Sequence, residues 1–222
     1  MTKCAYAQFG YGLETGIGMS SMKFAPPLGY GYTTGTTSPI LSAKAGGIID
    51  LGLNKNIYFQ SGISFLIKGA TRKFGYNYND TLIDNNTQTL TLGYVEVPVR
   101  VVYKTSIQGR NRFFAGLGVS FSYLVSEKSA FSEYFKSTDT IYNTNRDVTT
   151  NLGAFDVGMN FVAGIELSTG LFFGAYYTMG VTDIGTGTEI DKNRVWGINT
   201  GYIFGKWRNI NKEEDELIDK SK

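Results

Sequence analysis

The chain has 222 residues, 18% of them charged, a formal net charge of +2 and no histidine. So few charges, beside 15 Tyr, 15 Phe and 28 Gly, argue against a helical soluble protein. The small net charge argues against nucleic acid as a partner. Cys4 is alone and cannot form an intramolecular disulfide, and no apolar run of about 18 residues offers a membrane-spanning helix.

The chain opens on Met1–Ala7, where Ala5-Tyr6-Ala7 is an A-x-A pattern of the kind that precedes signal-peptidase cleavage. Residues 1–7 read as a signal-peptide remnant with Gln8 as the mature N-terminus, or else as a short disordered start. Alternation of apolar and small or polar residues begins at Phe9–Ser20, with Phe9, Tyr11, Leu13, Ile17 and Met19 against Gly10, Gly12, Glu14, Gly16 and Gly18. A period of two is the mark of a strand with two unlike faces. It recurs in Ala43–Leu53, Ile57–Gly69, Gly93–Lys104, Arg112–Ser126 and Ala154–Ser168. It then spans all of LFFGAYYTMGVTD at 171–183 and closes with Arg194–Lys206. Eight strands are therefore predicted, several longer than the five or six residues usual in soluble sheets.

The connections alternate in length. Asn54-Lys55-Asn56, Ser106–Asn111 and Ser168-Thr169-Gly170 are tight; Lys23–Ser42, Gly75–Gln88, Glu127–Asn151 and Gly185–Asn193 are longer and polar. Short periplasmic turns, long extracellular loops and an even strand number belong to outer-membrane barrels. The fold expected is all-β: an eight-stranded antiparallel up-and-down transmembrane β-barrel over residues 8–207, integral to a bacterial outer membrane. A soluble lipocalin-like barrel is the alternative fold. Turning the charged face to water would force every large apolar side chain into a lumen too narrow to hold them, whereas with the apolar face in lipid the charges can pair inside.

That second face carries Glu14, Lys44, Asp50, Lys68, Glu96, Arg100, Asp156 and Glu166. Pointing inward, these eight are expected to form a lumen charge network. One reading makes them an ion path or a divalent-cation site; the other makes them a salt-bridged plug. Eight strands leave an interior just wide enough for side chains, and a buried charge needs a partner, so the plug is the stronger expectation. Neither metal nor cofactor is expected. The strand glycines of FGYGLETGIGMSS lack the spacing of a phosphate-binding loop and read as space-savers on the inner face. Without histidine, the usual nucleophile–base arrangements are missing, and no enzymatic activity is expected.

The longer loops carry Tyr30, Tyr32, Phe131, Tyr134, Phe135 and Tyr142, candidates for partner contact or for packing over the barrel mouth. Asp80-Thr81-Leu82 and Asp139-Thr140-Ile141 match a short O-glycosylation pattern. After Trp207 the alternation stops, and residues 208–222 are expected to be a charged periplasmic tail outside the barrel.

The strand LGYVEVPVRVVYK at 92–104, with Val95-Glu96-Val97-Pro98, resembles that of PorT-like outer-membrane barrels of Bacteroidota, a family of small porin-like barrels. FFAGLGVSFSYLVS at 113–126 and WGINTGYIFG at 196–205 are similar to that family as well. The resemblance implies a cell-envelope barrel in contact with outer-membrane lipid, engaging envelope or secretion-system proteins. A narrow channel for ions or small solutes stays open as the other functional reading, with a soluble carrier of an apolar ligand behind it.

Overall fold

The computed structural model describes residues 8–23, 32–78, 81–105, 111–135, 140–146, 152–185 and 192–205. The remnant at 1–7 and the tail at 208–222 lie outside these residues, as does Tyr30. Every described element is a strand: β1 (Gln8–Lys23), β2 (Tyr32–Gly52), β3 (Ile57–Tyr78), β4 (Thr81–Lys104), β5 (Asn111–Phe135), β6 (Thr140–Arg146), β7 (Phe155–Leu167), β8 (Leu171–Gly180) and β9 (Lys192–Gly205). Neighbours pair antiparallel in the ring β1-β2-β3-β4-β5-β7-β8-β9, which closes through β9 and β1 over Gly10↔Gly205 to Lys23↔Lys192. These are the eight predicted strands. β6 is a ninth, paired to β5 alone among the described residues.

The closed ring leaves no edge in the membrane, where unpaired backbone groups would cost several kcal/mol each. Its outward rows are apolar: Leu13, Ile17, Ile63, Leu117, Phe161, Phe173 and Ile198 are all exposed. Along β1, Phe9 and Met19 lie ten residue steps apart. With a rise of about 3.3 Å per residue and a tilt of about 40°, that makes an apolar band about 25 Å tall. Tight turns end the strands on one side. Between β2 and β3, the Asn54 side chain accepts from the Asn56 and Ile57 amides at 2.9 and 2.7 Å. Between β7 and β8, Gly170 takes a positive φ of 94° that other residues resist.

The segments read as long polar loops are in large part strand. β2, β3, β4 and β5 run for 21, 22, 24 and 25 residues, against 16, 13, 10 and 14 for β1, β7, β8 and β9. About ten residues cross the membrane, so β2–β5 and β6 rise beyond it as a wall. The correction has a physical cause. Outside lipid the outward face is wet, the apolar row there ends, and threonine-rich segments such as TTGTTS and TQTLT keep their β-propensity without the pattern.

On the inner face, glycine sets the strand spacing. A Cβ on Gly12 would overlap the Tyr202 carbonyl of β9, whereas one on lipid-facing Gly47 would meet nothing nearer than 3.8 Å. Gly12→Ala is expected to lose about 1–3 kcal/mol, the usual range for overpacking; Gly47→Ala should change little. Urea unfolding in detergent micelles compares them, and equal losses would contradict the β1–β9 register.

Candidate functional site: the barrel lumen

Inward residues alternate with the lipid-facing rows, so the strand period itself delivers the charges to the lumen. Glu14, Lys44, Asp50, Lys68, Glu96, Arg100, Asp156 and Glu166 are all buried there, none more than 5% exposed. Lys104 and Arg112, left out of the predicted set, join them. Five cations therefore face five carboxylates.

The pairs fall into tiers, each built on one lysine and one tyrosine ring. At the short-turn end, Lys104 Nζ lies 2.5 Å from Asp50 Oδ2 and 2.6 Å from Glu166 Oε2, 4.5 Å from the centre of the Tyr58 ring. Arg112 Nη2 reaches Glu166 Oε1 at 2.9 Å, and its Nη1 donates to the Tyr58 hydroxyl. In the middle tier, Lys44 pairs with Glu14 at 2.7 Å near the Tyr176 ring, and Asn199 donates to Glu14. In the outer tier, Lys68 Nζ lies 2.9 Å from Asp156 and 3.7 Å from Glu96, 4.7 Å from the Tyr94 ring. The Ser122 hydroxyl accepts from Lys68 and sits 3.3 Å from Glu96, to which it donates.

Glu96 and Arg100 share the inner face of β4 but not a bond. Arg100 instead donates to Asn160 Oδ1 at 3.3 Å, within the electrostatic reach of Glu14, Glu96 and Asp50. Among the described residues, no group of carboxylates converges as a metal site would require. Between the lower and middle tiers, the cavity bounded by Glu14, Gln60, Arg100, Lys104, Glu166 and Asn199 measures about 10 Å³, room for about one water.

Above the outer tier the interior turns apolar. Met22, Ala70, Leu90, Leu92, Tyr94 and Ile184 form a buried cluster, with Leu124 and Leu152 packed against it. Ile184 belongs to the connection after β8, which folds back into the mouth; its carbonyl accepts from Gly153 N at 2.7 Å. Asp156 ties this connection to the charges, accepting from Thr182, Asn193 and Lys68.

Sequence over residues 6–185 matches the family described as the outer membrane protein beta-barrel domain. The chain belongs to that family. The barrel is accordingly an integral outer-membrane protein, and its apolar wall meets lipid. No curated protein matches the chain. Among solved structures, this barrel is similar to the attachment invasion locus protein of Yersinia pestis, with 14% identity, 89% of this chain and 99% of that one covered, and a TM-score of 0.37. It is also similar to the outer membrane protein OprG of Pseudomonas aeruginosa, with 11% identity, 91% and 99% covered, and a TM-score of 0.44. Neisserial surface protein A gives 10% identity, 88% and 97% covered, and a TM-score of 0.42.

Of the loop aromatics expected to meet partners, Tyr32 begins β2, Phe131, Tyr134 and Phe135 lie in β5, and Tyr142 lies in β6. They stand on strands of the wall rather than on irregular loops. The threonines of the two Asp-Thr-aliphatic triplets fall at strand starts on this wall. Thr81 opens β4 and Thr140 opens β6, while Asp80 and Asp139 lie outside the described residues.

Proposed function

We propose that this barrel is a closed, non-enzymatic platform that presents its raised extracellular wall to another envelope protein. The carrying observation is the unequal strand length: β2–β5 outrun the membrane by about ten residues or more, and β6 adds a strand there with one side open among the described residues. An open edge is a template for pairing with another chain unless it is protected. Polar strands held clear of lipid suit recognition rather than anchoring.

The lumen supports closure. Its charges are mutually matched, tiered and capped by apolar side chains, so solute passage would require several buried pairs to separate. The lack of any histidine supports a non-catalytic role. The likeness of Val95-Glu96-Val97-Pro98 to PorT-like strands supports a partner within the envelope or a secretion system.

Two measurements test this reading. Planar bilayers containing the full chain should stay silent, with no steady conductance steps. Replacing residues 127–151 by a short turn should abolish cross-links to other envelope proteins in native membranes while heat-modifiable gel migration, the sign of a folded barrel, persists. Stable conductance, or cross-links unchanged by the replacement, would overturn it.

A further inference from the structure

Among strand residues whose side chains are described, the exposed charged ones are all cations: Lys23, Lys73, Lys128 and Arg194. All four stand toward the extracellular ends, on the outward face. The opposite rim is rung instead by Phe9, Tyr11, Tyr103, Phe113 and Phe204. Asp183, an exposed carboxylate in the connection after β8, accepts from the Gly185 amide at 3.0 Å.

The register fixes the depth of these cations. Met19 faces Trp196 across β1 and β9 at the top of the apolar band, Ser21 faces Arg194, and Lys23 faces Lys192. Arg194 thus sits about 5 Å above the band and Lys23 about 10 Å above it. That is the depth of lipid headgroups rather than of acyl chains or open water. Lys73 lies on β3, separated from β1 only by β2, so the cations form an arc across four adjoining strands. Lys23, Lys192 and Arg194 have no ion-pair partner among the described residues.

We propose that Lys23, Lys192 and Arg194, extended by Lys73, bind the phosphate groups of anionic lipid headgroups in the extracellular leaflet. The arc has the sign, the depth and the spread for it. Guanidinium and ammonium groups are the side chains that hold phosphate, the first by paired hydrogen bonds and the second as a point charge. The barrel's interior is charge-matched, so among the described residues these outward cations serve no pairing need.

The test uses the full chain folded in neutral detergent, with bis-phosphorylated lipid A as the probe and the thermal unfolding midpoint as the readout. Each protein is compared with its own lipid-free midpoint. Lipid A should raise the midpoint by several degrees at low salt, and about 0.5 M salt should reduce that shift. The same lipid stripped of phosphate, and inorganic phosphate at equal concentration, should not raise it. Lys23→Gln with Arg194→Gln should at least halve the shift. Lys55→Gln, in the exposed turn at the opposite rim, should keep it. The proposal is overturned by an equal shift from stripped lipid or free phosphate, by a full shift in the double variant, or by a matching loss at Lys55.

Discussion

Lys104→Met should unfold the barrel more readily than any other single change to the lumen charges. Its ammonium is the shared partner of Asp50 and Glu166, at 2.5 and 2.6 Å, and the whole residue is 1% exposed. Methionine keeps the length of the chain and removes the charge. Glu166 would retain Arg112 at 2.9 Å, but Asp50 would keep only Gln60, whose amide lies 3.4 Å away. Breaking a buried pair from one side costs about 3–5 kcal/mol, because the other side stays charged and dry. Lys44→Met strands Glu14 alone, which Asn199 still contacts at 3.3 Å, so its loss should be smaller. Adding Asp50→Asn to Lys104→Met should recover part of the loss, since the stranded charge goes with it. Urea unfolding in detergent, read as a double-mutant cycle, measures both effects. A loss below about 1 kcal/mol for Lys104→Met would mean that water reaches the lower tier and that the lumen is not dry there.

The barrel was readable because lipid and a crowded lumen impose opposite demands on alternate residues. Leu13 and Glu14 are neighbours in sequence and stand on opposite sides of the wall. The same rule places Lys104 and Arg112 inside, since both are even-numbered like Glu96 and Gly116. Both sit at strand ends, where a charge reads equally well as a turn residue. Pairing within the lumen was harder to foresee. It depends on barrel stagger, which brings Lys104 of β4 to Asp50 of β2 and Glu166 of β7, and nothing local in the sequence encodes that. Two features hid the upper half. The inner face changes from charged to apolar above Lys68, so Leu90 and Leu92 look like lipid-facing residues out of phase. The pairing then slips between Gly93↔Ser126 and Tyr94↔Leu124, and β5 turns its even residues outward, as exposed Ser126, Lys128 and Ala130 show. A bulge of this kind cannot be seen from periodicity on one strand.

Arginine placed on the outward face should report depth, with Ala175→Arg the most damaging. Ala175 is exposed at mid-height on β8, between Ala163 of β7 and Ile198 of β9 in register. Phe173 and Tyr177 flank it on the same row, so the substituted guanidinium has only hydrocarbon around it. An arginine near the bilayer midplane of a barrel costs about 2–4 kcal/mol. Val157 lies on the outward row near the extracellular end of β7, where the long side chain can reach headgroups, and Val157→Arg should cost about 0–1 kcal/mol. Ala130, exposed on the raised part of β5, stands clear of lipid, and Ala130→Arg should be neutral. Folding into lipid vesicles, followed by denaturant titration, gives the three values on one scale. The order matters more than any single loss, because a destabilised water-soluble barrel would show no such dependence on height. If Ala130→Arg proved as costly as Ala175→Arg, the part of β5 assigned to the wall would lie in the membrane, and the extracellular sheet on which the proposed function rests would not exist.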